Sequence, residues 1–483
     1  MSSTEHYVDL VVLGTGIAGQ VTATTAAEAG LSVALLEKTD ARGGSSVMSG
    51  GWFAFSGTEE QAAKEEQDSR DLFLQDLLEV GDHLNRTDLL ETYLDRQDQT
   101  YRWLKDHGVD FREISISSGQ SAKRSHLTAI KDVIAGLHRD FEAAGGRTYM
   151  EHRGHTLVRG QDGRVAGVVA SSPDGDVRFD ARGGVVLATG GFSRGTEMLR
   201  VFAPYQLNAI PYGGRGNTGD GLRMAWKLGA GMADMSFVSG TYGSHPETGE
   251  EFHELLTAYY QGAIIVNRDG RRFTDESQSY KTLGRDVLEQ PDGLGFEIFD
   301  ATVRAQSEPG VPLKDIDALE EIGHVHRADT LEELAQVAGI DAEALVQSVA
   351  AYNAAISGEG TDEVGRTSLC NGVGDLLPIV AAPFYAYPAK SLMTTTYCGV
   401  TIAADGAVTD VDGDPIEGLY AVGEVTGGFH GAAYMTGTSL GKGAVFGHAI
   451  GQAVADRLLA SSAVTPTPTP AGGPAQGQEQ VAR

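Results

Sequence analysis

The sequence predicts an α/β protein, a Rossmann-like domain interrupted by an inserted α+β capping unit. Three observations predict it. An apolar run, Leu10-Val11-Val12-Leu13, enters Gly14-Thr15-Gly16-Ile17-Ala18-Gly19 and then a stretch of small residues, and a second apolar run closes on Glu37-Lys38. Near the far end, Gly418 to Gly428 again reads as a strand entering a glycine-rich turn, with Gly437-Thr438-Ser439-Leu440 opening a helix. Between them the pattern changes to mixed strands and helices.

The first βαβ unit has a mechanism behind it. Gly14, Gly16 and Gly19 permit a tight turn and close approach of the backbone to a pyrophosphate, which the start of the helix at Ile17-Ala18 attracts. Glu37, at the end of the second strand and followed by Lys38, suits a ribose hydroxyl. Charged helical segments fill roughly 59–109, where Leu72, Leu74, Leu77 and Leu78 recur at helical spacing. Residues 130–145 read as another helix, and short strands around 153–180 carry the hairpin turns Asp162-Gly163 and Pro173-Asp174-Gly175. Val185 to Ala188 reads as a buried strand returning to the glycine-rich turn. The predicted organisation is discontinuous: a dinucleotide domain over 1–237, an inserted cap over 238–369 with a helical stretch at 329–356, and the second part of the dinucleotide domain over 370–460. Residues 461–483, rich in Pro, Thr, Ala, Gly and Gln, predict a disordered tail.

The C-terminal motif selects the dinucleotide. Gly423-Glu424 is suited to ribityl hydroxyls. The helix beginning near Thr438, Ser439 and Leu440 aims its positive end at the flavin N1/C2 carbonyl, where charge collects on reduction. The prediction is FAD rather than NAD, and hence a Rossmann-like FAD-binding domain with a substrate cap.

Composition excludes partners rather than naming them. Lys and Arg number 37 against 66 acids, a net charge of −29, which argues against nucleic acid and against an anionic membrane surface. Cys370 and Cys398 fit no metal-ligand spacing, so no metal is predicted and both read as reduced thiols of a cytoplasmic protein. Residues 1–7 are polar, unlike a signal peptide, and no apolar run reaches the ~20 residues of a membrane span.

Further motifs carry a resemblance. They are Gly43-Gly44-Ser45-Ser46 with Ser49-Gly50-Gly51, Ala188-Thr189-Gly190-Gly191-Phe192, Asn217-Thr218-Gly219-Asp220-Gly221, and Asn267 to Phe273 leading to Glu276. Tyr352-Asn353, Gly365-Arg366 and the run from Gly418 to Gly431 complete the set. Over nearly all of 7–460 the chain resembles the flavoprotein superfamily of fumarate reductases, succinate dehydrogenase flavoprotein subunits and 3-ketosteroid dehydrogenases. The resemblance implies that Gly44, Ser45, Ser46, Ser49, Gly50, Gly51, Ala188, Thr189, Gly190, Asn217 and Asp220 join the cofactor site. Succinate dehydrogenases hold flavin through a histidine where this chain has Gly44, which implies noncovalent FAD. No second glycine-rich βαβ unit is present for NAD(P)H, so an external electron acceptor is predicted: oxygen, a quinone or an electron-transfer protein.

Fumarate-reducing members need cations, and this chain departs from them at each diagnostic place. Four residues after Glu276, where they carry a proton-donating arginine, stands Tyr280. Their His-Thr-Met-Gly-Gly reads Thr395-Thr396-Tyr397-Cys398-Gly399, and their His-Gly-Ala-Asn-Arg reads His430-Gly431-Ala432-Ala433-Tyr434. Ketosteroid dehydrogenases also carry tyrosines at the positions of Tyr280 and Tyr434. The resemblance therefore implies that Tyr434, with the Gly437 and Thr438 amides, polarises a ketone. Tyr280 takes the α proton while flavin N5 accepts hydride from the neighbouring carbon. Tyr397 is a third candidate. A tyrosine base needs its pKa lowered from ~10, to which Lys281 or a helix N-terminus would contribute.

Trp52 and Phe53 are candidates for walling the substrate site. Lys123-Arg124-Ser125-His126 reads as a solvated loop, with Arg124 or His126 the anchors for any substrate carboxylate. The predicted reaction is FAD-dependent introduction of a C=C bond α,β to the ketone of a cyclic substrate. That substrate is a 3-ketosteroid or a smaller alicyclic ketone such as 4-oxocyclohexanecarboxylate. The alternative is an enoate reductase of the fumarate or urocanate type.

Overall fold

The computed structural model describes residues 4–463 apart from 118, 239, 249–253, 312, 373 and 394. Its centre is a six-stranded sheet in the order Ala407–Thr409, Pro415–Ala421, Val185–Leu187, Leu10–Leu13, Val33–Leu36, Arg147–Tyr149. All neighbours are parallel except the first pair. Leu10–Leu13, Val33–Leu36 and Val185–Leu187 are buried along their whole length, which is why they read as continuous apolar runs rather than alternating ones. Helix Ile17–Glu28 leaves the first strand and is almost wholly buried between Ile130–Ala143 and the long helix Thr438–Ala463. The close helix contact depends on absent side chains: a Cβ on Gly447 would stand 2.9 Å from the Ala18 carbonyl oxygen.

The expected hairpins form a second sheet, Thr4–Val8, Gly175–Ala181, Val165–Ser172 and Arg153–Arg159. The charged region at 59–109 is helical at Glu59–Ala63, Arg70–Val80 and Thr87–Asp106. The helical stretch at 329–356 is two helices, Leu331–Ala338 and Ala342–Ser357. Gly339 ends the first at φ +69° and the Asp341 carboxylate caps the second, so the chain turns where a continuous helix was predicted.

The sheets do not respect a boundary between 369 and 370. Phe384–Met393 is the strand on which the cap sheet is built, pairing with Leu294–Asp300 along seven residues and with Thr241–Ser244 and His326–Ala328. Ile210–Pro211 adds to it from before residue 238. The chain rejoins the central sheet only at Ala407. Helix Thr438–Ala463 enters the first residues of the predicted tail, and 464–483 lie outside the described residues.

The basic cluster is not a solvated loop. Ser125–Leu127 is a strand between Trp52–Ala54 and Glu113–Ser115. Arg124 is 0% exposed, pairs with Asp68 at 2.8 Å and with Asp76, and lies 4.7 Å from the centre of the Phe73 ring. Two carboxylates neutralise the guanidinium and allow its burial. His126 is buried beside it, and neither side chain reaches the cavity described below, so neither anchors a substrate carboxylate.

Candidate active site

One cavity of about 1040 Å³ runs from the first glycine-rich turn to the junction of cap and core. At its first end lie Gly14, Gly16, Ile17, Ala18, Glu37 and Lys38. Gly14 has φ +107°, and a Cβ there would meet the Ala188 carbonyl oxygen at 2.3 Å. Gly19 does not line the cavity: a Cβ on it would stand 1.9 Å from the Gly14 carbonyl oxygen, so its role is to let helix and turn touch. The Glu37 carboxylate accepts from the Thr15 hydroxyl at 2.6 Å and from the Thr39 amide at 2.9 Å. Lys38 and Arg153 both bind Asp220 at 2.7 Å. Burial pushes the Asp220 carboxyl up, but hydrogen bonds from Arg153 and Lys38 outweigh it and hold the group below its ordinary range.

Along the middle run Gly44, Ser45, Ser46, Ser49, Gly50, Ala188, Thr189, Gly190, Asn217, Gly423 and Glu424. Asn217 donates to Ser45, Ser193 and Glu424, while its Oδ1 is buried with no partner. Glu424 accepts from the Thr396 amide at 2.8 Å, and burial raises its carboxyl. Ser439 and Leu440 line the cavity, but Gly51 and Thr438 do not. Gly51 makes the turn that pairs with Thr128, and the Thr438 hydroxyl donates to the Met435 carbonyl.

Tyr280, Lys281, Tyr397, Tyr434 and Thr436 converge on the cavity, which Trp52 also lines. Phe53 points into the core instead. Tyr280 is the first residue of helix Tyr280–Leu288, capped by the Ser279 hydroxyl. The preceding turn is held by a buried network in which Glu276 takes Arg272 at 2.6 Å and Arg366 at 3.5 Å. The Tyr280 hydroxyl shares a 2.7 Å hydrogen bond with the Thr436 hydroxyl. The Tyr434 hydroxyl accepts the Gly437 amide at 2.9 Å, at the start of the long helix. Tyr397 sits at φ +56°, an outlier for a bulky residue, and its ring stacks on Tyr434 at 4.5 Å. Burial raises all three phenols, Tyr280 to about 12, against which the Thr436 hydroxyl bond acts on Tyr280. His430 packs edge-on to Tyr397 at 5.3 Å, and burial drives its imidazole well below its ordinary value.

Lys281 is the hub of this cluster. Its Nζ lies 5.3, 4.9 and 5.4 Å from the ring centres of Tyr280, Tyr397 and Tyr434 and donates to the Thr241 hydroxyl. Burial brings the ammonium down to about 7. The helical spacing of Lys281 with Gly284 and Val287 places it on the buried stripe of its helix, and that pattern was available. Thr436 and Thr241 carried no such signal.

Residues 9–440 match the family described as FAD binding domain. The chain belongs to that family. A 4-oxocyclohexanecarboxylate 2-dehydrogenase of Sinomonas cyclohexanicum is 31% identical, covering 92% of each chain. The NADH:fumarate oxidoreductase of Klebsiella pneumoniae (strain 342) is 30% identical over 93% of this chain, which spans 48% of that longer protein. The solved 3-ketosteroid-Δ4-(5α)-dehydrogenase of Rhodococcus jostii RHA1, in complex with 4-androstene-3,17-dione, superposes with a TM-score of 0.76 at 25% identity, covering 94% of this chain and 98% of that one.

The protein is thus an FAD-dependent oxidoreductase with the FAD-binding fold. Its residues fit the cofactor: an extended cavity, a turn at Gly14 that no side chain could occupy, and an orphaned Asn217 oxygen midway. Among the described residues no helix is long and apolar enough to cross a membrane. His245, Glu247 and His324 gather ligand-type atoms away from the cavity. The two imidazoles stack at 3.6 Å and 6°, so their in-plane lone pairs do not converge on a common ion.

Proposed function

We propose that this flavoprotein desaturates a small cyclic ketone at the α,β carbons. The observation that carries the reading is the tyrosine cluster: Tyr280 and Tyr434 line one cavity end, each with its hydroxyl held by a named partner. Because the Gly437 amide donates to Tyr434 Oη, the Tyr434 proton remains free to be donated to the ketone oxygen as enolate charge develops. The Gly437 amide is itself engaged, so the phenol rather than that amide presents the donor. Tyr280 takes the α proton. Its phenolate is costly in so buried a place, and the Thr436 hydroxyl offsets part of that cost. FAD, which Gly14, Gly44, Asn217 and Glu424 would help to hold, would supply the acceptor for the hydride from the β carbon, and an external acceptor would be needed to take the two electrons onward. The Sinomonas relative, named for a six-membered keto acid, supports a substrate of that size.

A second reading, reduction of an enoate, draws on Lys281, a buried ammonium near neutrality beside the tyrosines that can act as a proton donor. Anaerobic mixing with a 3-ketosteroid, cyclohexanone, 4-oxocyclohexanecarboxylate and succinate separates the two. Bleaching of the flavin by a ketone supports the desaturase. No bleaching, with reoxidation of reduced enzyme by fumarate or urocanate, supports the reductase. Tyr280→Phe is expected to keep bound FAD and lose about 10²–10⁴-fold in turnover. Full activity in that variant places the base elsewhere.

A further inference from the structure

We propose that Lys281 is the counter-charge for a carboxylate on the substrate, so that the ketone accepted by this cavity is a keto acid. The inference deepens the desaturase reading and rests on it for the ketone half of the substrate.

Lys281 differs from the other cations of the cavity in its partners. Six other cations line the cavity, and each is already engaged. Lys38 and Arg153 share Asp220, Arg215 holds Asp40 and Lys314 holds Glu308. Arg42 meets His138, and Arg194 donates to the Gly213 carbonyl. Lys281 differs. It is 4% exposed, its ammonium has one hydrogen-bond acceptor, the Thr241 hydroxyl, and among the described residues it enters no ion pair. Glu424 raises its pKa through space but is occupied by Thr396 and Asn217. The three tyrosine rings stabilise a cation weakly, each at about 5 Å.

An ammonium so placed costs free energy unless an anion meets it or it gives up its proton. A neutral steroid ketone would cover it with apolar surface and leave the charge unanswered. A carboxylate entering the same end of the cavity satisfies the two remaining N–H donors and cancels the charge. Tyr434 addresses the ketone, so one small molecule bearing both groups engages a phenol and an ammonium that the fold already holds side by side, the ammonium 5.4 Å from the centre of the Tyr434 ring. Arg124 and His126, the anchors the sequence suggested, are sealed in the core away from the cavity, whereas Lys281 lines it.

The test uses the FAD-loaded full chain and three probes: 4-oxocyclohexanecarboxylate, its methyl ester and cyclohexanecarboxylate, which has the acid but no ketone. The wild-type enzyme is expected to favour the acid over the ester in kcat/KM. Lys281→Met should lower that ratio roughly ten- to hundred-fold, any effect on the chemical step being common to acid and ester and cancelling in it, and Lys281→Arg should restore part of it. Calorimetry with cyclohexanecarboxylate reads the anchor without turnover, and its affinity should fall by the same factor in Lys281→Met. An unchanged acid-to-ester ratio, or equal binding of cyclohexanecarboxylate by both proteins, overturns the anchor. Failure of every ketone to bleach the flavin overturns the desaturase reading instead, while calorimetry still decides whether Lys281 binds the acid.

Discussion

Arg124 and Lys281 are both buried cations, and they differ in what surrounds them. Arg124 lies in the core with Asp68 and Asp76 against its guanidinium and Phe73 beneath it. Lys281 faces the cavity with one hydroxyl and three aromatic rings. Every guanidinium nitrogen of the first site meets a carboxylate, whereas the ammonium of the second meets none. Exposure alone does not distinguish them, because 0% and 4% describe the same degree of burial. Charge balance separates a residue that holds the fold from one available to a ligand.

The largest effect is expected at Arg124. Arg124→Met strands two buried carboxylates and is expected to cost about 3–5 kcal/mol in denaturant unfolding, while the folded fraction keeps the wild-type preference for acid over ester. A change in that preference with little loss of stability would reverse the assignment of the two sites.

A smaller effect lies in pH. A carboxylate raises the bound-state pKa of Lys281 above its free value of about 7, so keto-acid affinity is full below that value and falls as pH rises through it. Above pH ~7 the dissociation constant should grow about tenfold per unit, and that of the methyl ester should stay flat. Facing or near Lys281 are the phenols of Tyr280, Tyr397 and Tyr434, pushed up, the His430 imidazole, pushed down, Glu424, pushed up, and behind Phe429 Lys442, brought to about 8. Lys281→Met should flatten the slope if the ammonium causes it, and a slope that persists assigns it to one of these neighbours. The smallest effect concerns stability. Lys281→Met removes an unanswered buried charge and should leave the unfolding free energy equal or higher, within about 1 kcal/mol. A loss as large as that at Arg124 would mean that Lys281, too, holds the fold together.

Much of this was legible in the chain. The turn at Gly14 and Gly16, the acid at Glu37 and the Gly423-Glu424 turn were readable because a parallel strand buried on both faces and a glycine turn leave local, contiguous patterns. Tyr280 and Tyr434 were readable from their places after Glu276 and His430, and both line the cavity. Gly19, Gly51 and Thr438 belong to the same motifs yet serve the packing around the cavity, a distinction that depends on which atoms stand opposite each residue.

The βαβ start, the interruption of the dinucleotide domain and the tyrosines at 280 and 434 are written in local spacing and residue type. Tertiary structure decided that Phe384–Met393 serves the cap, that Asp68 and Asp76 bury Arg124, and that Lys281 stands among three phenols with no carboxylate beside it. Strand partners and neutralising charges come from segments remote in the chain, and neither composition nor periodicity records which of them will meet.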